Sequence, residues 1–213
     1  MASLPDPALV LVTDDDLSAL DMLAYIEAAL QAGCRIVQLR RPRASGRELY
    51  DCAVRLRKLT ASHGALLLVN DRIDVALTIG ADGVHLPGSG MASQAARRLV
   101  ARPRLLGRAV HSVEEVDRER RLGEVDYVQL GPIFDTPSKR AFGAPQGLDK
   151  LREAVAVAGE LSVVAVGGID TGKSASVVRA GARGIAVIRA ISHAKDAGAA
   201  TQGLLAAMAA KPR

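Results

Sequence analysis

Short, evenly apolar runs rich in valine, isoleucine and leucine recur at regular intervals along the chain. They span Ala8–Thr13, Arg35–Leu39, Ala65–Val69, Gly83–Leu86, Arg104–Val110, Tyr127–Leu130, Ser162–Val166 and Ile185–Ile188. Each is too short for an amphipathic helix, and its even apolarity suits a parallel strand covered on both faces. Between the runs the spacing becomes helical. Leu20, Leu23, Ala24, Ile26 and Leu30 form one stripe; Leu49, Val54, Leu56 and Leu59 form another; Val155, Ala156 and Ala158 follow Leu151 in a third. Gly33, Gly64, Gly123, Gly159 and Gly181 stand where these helices should stop, as left-handed C-terminal caps do.

Strict alternation of strand and helix predicts parallel βα units. An open doubly wound sheet usually carries a glycine-rich phosphate loop after its first strand. Here that position reads Thr13-Asp14-Asp15-Asp16. The pattern therefore predicts an α/β fold, a single (β/α)8 barrel domain over residues 1–213, near the lower size limit of that architecture. Residues 79–84 weakly echo residues 180–185, which reads either as the usual chemistry of a helix end running into a strand or as a duplicated half-barrel. The longest irregular segment, Gly131 to Gly147, has the length of a functional loop.

Composition narrows the class. Of 213 residues 49% are hydrophobic, which supports one sizeable core and excludes intrinsic disorder. No apolar run approaches the ~18 residues of a membrane span. The opening residues carry no basic segment followed by a long apolar stretch, so no secretory signal is expected. Cys34 and Cys52 lack metal-type spacing and read as reduced thiols; the expected location is the cytoplasm. Aromatics are 2%, too few for the stacking platforms of single-stranded nucleic-acid binders. A net charge of +5, from 28 basic and 23 acidic residues, suits an anionic partner. Arg97 and Arg98, and Arg118, Arg120 and Arg121, are interleaved with acids and read as solvated helix faces rather than a nucleic-acid stripe. Arg40, Arg41 and Arg43 differ because they directly follow a strand.

In such a barrel the chemistry sits at the carboxyl ends of the strands. Gly167-Gly168-Ile169-Asp170-Thr171 follows the seventh strand and leads into a helix, so its bare N–H groups suit a phosphate. Arg40, with its planar fork of donors, suits a second phosphate group. Asp71 reads either as a Mg²⁺ ligand completed by substrate phosphates or as the N-cap of a helix over Arg72–Ile79. Thr136, Ser138 and Lys139 form a loop able to close over an anionic substrate, or an ordinary polar surface loop. His85 and His111 lie at strand ends; His63 and His193 read as peripheral.

Gln38-Leu39-Arg40, Asn70-Asp71-Arg72, residues 80–86, Gly131-Pro132-Ile133-Phe134 with Thr136-Pro137-Ser138-Lys139, and Ala165-Val166-Gly167-Gly168-Ile169 together resemble the thiamin phosphate synthase and thiazole tautomerase superfamily. The resemblance runs from about Ala8 to Ala197. It implies a (β/α)8 barrel and a cytoplasmic transferase that joins hydroxymethylpyrimidine pyrophosphate to thiazole phosphate with Mg²⁺ as cofactor. It implies that Gln38 and Arg40 hold the pyrimidine pyrophosphate, that Asn70 contacts the pyrimidine or pyrophosphate, and that Asp71 binds the metal. Arg40 and Lys139 then act as the catalytic cations on the departing pyrophosphate. Thr136 and Ser138 contact both substrates, and Gly168 and Ile188 place N–H groups on the thiazole phosphate, beside Gly167 and Arg189. The expected partners are small phosphorylated substrates, with no nucleic acid and no membrane; a homo-oligomer is left open.

The chain departs from the synthase pattern at four places. A lysine expected after strand two is Pro42. The Gly-Gln-Asp/Glu-Asp expected after strand four, with a second acidic metal ligand, is Pro87-Gly88-Ser89-Gly90. A serine in strand five is Ala109, and a serine after strand eight is Arg189. Arg41 and Arg43 are the nearest cations to the lost lysine. Leu86-Pro87-Gly88-Ser89 and residues 106–112 resemble the tautomerase branch instead, yet the catalytic histidine of that branch is Pro132 here. The alternative is therefore a tautomerase-like enzyme or a non-catalytic binder of thiazole or thiamin phosphates.

Overall fold

The computed structural model describes residues 4–136 and 144–210. Eight parallel strands close into a barrel in chain order: β1 (Ala8–Val12), β2 (Ile36–Leu39), β3 (Leu66–Asn70), β4 (Gly83–Leu86), β5 (Leu105–Val110), β6 (Tyr127–Leu130), β7 (Ser162–Val166) and β8 (Gly184–Val187). Every expected strand is present, with bounds shifted by no more than a residue. The helices are α1 (Ala19–Gln31), α2 (Gly46–Ser62), α3 (Ile73–Thr78), α4 (Ser93–Leu99), α5 (Val113–Leu122), α6 (Gly147–Ala158), α7 (Thr171–Arg179), the single turn α8 (Arg189–Ser192) and α9 (Ala197–Ala209). Among the described residues none is long and apolar enough to cross a membrane.

Alternate residues of each strand face opposite ways. One set, including Val10, Ile36, Leu68, Leu105, Tyr127 and Val164, fills the barrel interior. The other, including Leu11, Val37, Leu67, Val84 and Val128, packs under the helices. Tyr127 occupies the interior because Gly107 on β5 leaves it room: a Cβ there would lie 2.1 Å from the tyrosine Cζ.

Local chemistry starts the helices. Ser18, Ser45 and Ser112 accept from the backbones of Asp21, Glu48 and Glu115, and Ser45 with Glu48 completes a capping box, each cap being worth about 1 kcal/mol. α1 buries Met22, Tyr25, Ile26, Ala29 and Leu30. The expected stripe is thus rotated, and Leu20 is exposed. At the amino ends of the strands, aspartates lock helix to sheet. Asp82 accepts from Leu67 N at 2.8 Å and Arg57 at 2.6 Å; Asp126 accepts from Leu106 N and Arg97, each at 2.7 Å. Arg97 also donates to the carbonyls of Val100, Arg104 and Glu124. Arg97 is therefore a structural clamp, not part of a solvated face as its charge pattern suggested. Arg118, Arg120 and Arg121 are exposed. Both cysteines are buried and unpaired.

Candidate active site

The rim formed by the carboxyl ends of the strands holds a cavity of about 350 Å³. Thr13, Arg40, Thr136, Gly167, Gly168, Ile188 and Arg189 all line it. These residues come from β1, β2, the segment after β6, β7 and β8. Closure of the barrel is what brings them together.

The Arg40 backbone is held from both sides by one hydroxyl. Its N–H donates to Thr13 Oγ1 at 2.8 Å, and Thr13 Oγ1 donates to its carbonyl at 2.9 Å. Arg40 itself is exposed, and among the described residues no carboxylate pairs with its guanidinium. Gly167 and Gly168 have φ of 99° and 65°, a region unfavourable for residues with a Cβ. The β6 loop packs directly on the turn, so a Cβ at Gly168 would meet Asp135 O at 2.7 Å and Phe134 Cβ at 2.8 Å. Ile133 N donates to Val166 O, and Phe134 N to Gly167 O.

The helix that follows this turn departs from expectation. α7 is capped by Asp170, whose carboxylate accepts from Lys173 N and is ion-paired to Lys173 Nζ at 2.7 Å. Its amino end already has an anion, and neither Asp170 nor Thr171 lines the cavity. The cavity meets instead the diglycine turn itself and the first turn of α8, at Ile188, Arg189 and Ala190. N–H groups in a first helical turn have no intrahelical partner.

The cations near the missing lysine are engaged. Pro42 lines the cavity. Arg41 pairs with Asp15 at 3.2 Å, whereas Arg43 pairs with Asp15 at 2.9 Å and Asp16 at 2.6 Å. Arg189 approaches Asp16 at 3.7 Å. Burial works against the Asp15 charge, but the hydrogen bonds from Arg43 and Arg41 outweigh it and hold its pKa below the ordinary value.

Beneath the rim lies a polar layer inside the barrel. Gln129 on β6 donates through Nε2 to Gln38 Oε1 on β2 at 2.7 Å, and Gln38 Nε2 donates to Asn70 Oδ1 on β3 at 3.2 Å. Nearby, His85 Nδ1 bonds the Tyr127 hydroxyl at 3.1 Å. Burial, with Arg108 and Arg40 adding repulsion, pushes His85 down to about 3, so the imidazole is neutral near pH 7.

Asp71 stands at the end of β3 with φ 64°, an uncommon backbone for a residue other than glycine. Its N–H donates to His85 O, and its carbonyl accepts from Ile73 N, each at 2.9 Å. It does not cap α3, whose N-cap is Arg72 without a side-chain bond. The carboxylate is exposed and has no hydrogen bond among the described residues. No group of three or more histidine, cysteine, aspartate or glutamate side chains gathers as a metal site among the described residues. This donor set fits Mg²⁺ in one way: a single carboxylate, with substrate phosphate oxygens and water completing the shell.

Ser138 and Lys139 lie outside the described residues. His111 bonds Gly131 O at 2.7 Å through Nδ1, and His63 ends α2. His193 reaches back to Asp14 at 3.0 Å, where Ser192 also donates. Sequence reasoning missed Gln129. The available signal was an amide at the alternate position from Tyr127 in an otherwise apolar strand. It also missed the buried trio Arg108, Glu119 and Ser93. Arg108 donates to Gly88 O and Met91 O, and Ser93 Oγ donates to Glu119 at 2.6 Å. This trio braces the β4–α4 loop that departs from the synthase pattern.

Comparison with known proteins agrees with the geometry. The sequence profile of the family described as thiamine monophosphate synthase matches residues 9–191. The chain is 44% identical over 207 residues to a thiamine-phosphate synthase of Chloroflexus aurantiacus, covering 97% of this chain and 94% of that one. It is 44% identical over 180 residues to the thiamine biosynthesis bifunctional protein ThiM/ThiE of Symbiobacterium thermophilum, covering 84% of this chain but 37% of that longer protein. Among solved structures, a thiamine phosphate pyrophosphorylase of Pyrococcus furiosus superposes with a TM-score of 0.85 at 34% identity, covering 94% of this chain and 95% of that one. A barrel whose strand ends carry Gln38, Arg40, Asn70 and Asp71 on one side, and a diglycine turn on the other, thus belongs to the thiamine monophosphate synthase family.

Proposed function

We propose that the chain acts as a thiamine-phosphate synthase in the cytoplasm, joining hydroxymethylpyrimidine pyrophosphate to thiazole phosphate with release of pyrophosphate. The observation that carries this reading is the rim cavity onto which Arg40, Thr136, the diglycine turn, Ile188 and Arg189 converge. It supplies one cationic corner and one backbone corner, which suits two phosphorylated substrates held side by side.

In this reading Asn70 contacts the pyrimidine with the buried Gln38 amide bonded behind it, while Thr136 and Ser138 contact both substrates. Gly167, Gly168 and Ile188 hold the thiazole phosphate by their N–H groups, with Arg189 adding charge. The bond from the methylene carbon to the diphosphate oxygen breaks, and the thiazole nitrogen bonds to that carbon. Arg40 and Lys139 donate to the diphosphate as its negative charge grows, which lowers the barrier because the donors are already oriented. Thr13 contributes by fixing the Arg40 backbone. Asp71 is the residue that would hold Mg²⁺, and the ion would neutralise diphosphate charge when bound. Neutral His85 cannot compete with Arg40 as a cation at pH 7.

A second reading draws on the β4–α4 loop, which carries no carboxylate and whose carbonyls are held by Arg108. It makes the chain a tautomerase-like enzyme, or a non-catalytic binder of thiazole phosphate. Both readings are tested by mixing the purified protein with the two substrates and Mg²⁺ and following thiamin phosphate by fluorescence after oxidation. The synthase reading expects product that disappears with chelator. Binding of thiazole phosphate without Mg²⁺ dependence and without product would overturn it in favour of the second.

A further inference from the structure

We infer that Gln129 is a positioning residue that sets which side of the Asn70 amide meets the pyrimidine diphosphate substrate. The inference rests on the synthase reading and adds to it a residue from the opposite wall of the barrel.

Gln129 has no polar partner on the strands beside it. Its register neighbours are Ala109 on β5 and Val164 on β7. Its amide crosses the barrel to β2 and donates to Gln38 Oε1 at 2.7 Å. An amide placed among apolar side chains costs free energy unless it is hydrogen-bonded. The same space two residues earlier along each wall is filled by Ile36, Leu68 and Tyr127. Packing alone therefore does not call for glutamine here.

The consequence lies in the direction of the chain of amides. A side-chain amide has one acceptor end and one donor end. Because Gln129 donates to Gln38 Oε1, the Gln38 donor end must face Asn70, where it meets Oδ1 at 3.2 Å. That commits the acceptor end of Asn70 and leaves its Nδ2 as the free end. Among the described residues no buried side-chain nitrogen or oxygen lacks a partner, and Asn70 Nδ2 donates to none of them. Asn70 is half-buried at the carboxyl end of β3, so this Nδ2 is not fully enclosed, and in the synthase reading it presents donors to a ring nitrogen or a diphosphate oxygen. A substrate rich in acceptors requires that polarity. Reversing the first amide would reverse the last and set a carbonyl oxygen against the substrate's acceptors.

The test is calorimetric binding of hydroxymethylpyrimidine diphosphate and, separately, of thiazole phosphate to wild type, Gln129→Met and Gln129→Glu. Gln129→Met keeps the length but removes the donor, and is expected to weaken pyrimidine diphosphate binding about tenfold, the effect of one lost hydrogen bond. Gln129→Glu keeps the shape but can only accept, so Gln38 and Asn70 must turn round; its loss should exceed that of Gln129→Met. Binding of thiazole phosphate should stay within about twofold of wild type in both, which also shows that the variants are folded. In an Asn70→Ala background, Gln129→Met should cost nothing further, because coupled residues are not additive. Wild-type pyrimidine diphosphate binding in both variants, equal losses for both ligands, or a full additional loss in the Asn70→Ala background would each overturn the inference. A wild-type protein that does not bind the pyrimidine diphosphate at all would instead overturn the synthase reading, and this inference with it. Should Gln129→Glu fail to fold, Gln129→Met and the double variant decide alone.

Discussion

Replacing Arg108 by methionine removes a cation from a nearly closed space. The Arg108 side chain is 9% exposed, and the Glu119 side chain beside it is 3% exposed. The guanidinium makes hydrogen bonds of 2.5 Å to Met91 O and 2.9 Å to Gly88 O. Its Nε lies 3.9 Å from Glu119. Methionine fills most of the volume, so the main effect is a stranded carboxylate. Breaking a buried pair in this way costs about 3–5 kcal/mol. The long 3.9 Å separation and the remaining Arg118 at 3.9 Å argue for the lower end, about 3 kcal/mol. The loop carbonyls can turn to water, so they add little. A chain of this size loses about 2–4 °C of Tm per kcal/mol, which predicts a fall of about 6–12 °C. Adding Glu119→Gln removes the charge while leaving Ser93 a partner, so the double variant should recover about half of the loss. Urea denaturation followed by circular dichroism measures both. A loss below about 1 kcal/mol for Arg108→Met, or strict additivity with Glu119→Gln, would refute the coupling.

Asp71→Asn should cut synthase turnover at least about tenfold with little change in Tm, because the carboxylate is exposed and unbonded among the described residues; near-normal turnover with this variant and with Lys139→Ala would sink the proposed roles. Gly168→Ala should weaken thiazole phosphate binding at least about tenfold, since a Cβ would collide with Asp135 O and Phe134 at 2.7–2.9 Å at a φ that favours glycine; unaltered binding in calorimetry would separate the turn from the phosphate. His85 is held at about 3, below its ordinary 6.5, so the unfolded chain takes up this proton first. Its contribution to stability is present above pH 6.5 and is lost as pH falls towards 3; His85→Gln should flatten that part of the stability curve, and an unchanged slope would count against the burial argument. Burial raises the pKa of Asp14, but bonds from Asp16 N, Ser192 and His193 hold it below 3.8. Its contribution is present above pH 3.8 and lost below, so Asp14→Asn should remove part of the acid sensitivity there, read as a shallower fall of Tm with pH.

The order of strands, their bounds and the barrel were legible in the amino-acid sequence because they rest on local periodicity. A run such as Val163-Val164-Ala165 announces a strand buried on both faces wherever it sits, and eight such runs alternating with helices leave few topologies. Gln38, Arg40, Asn70, Asp71 and the diglycine turn were legible as candidates for a related reason: each sits at or near a strand end, where this architecture collects its chemistry. Tertiary structure decided what depends on residues far apart in the chain. The Asp170 cap on α7, the pairing of Arg41 and Arg43 with Asp15, the burial of Arg97 against Asp126, and the amide chain from Gln129 across to Asn70 all depend on distances set when the barrel closes. Periodicity along one strand says that a side chain points inward. Only closure decides which side chain from the opposite wall it meets.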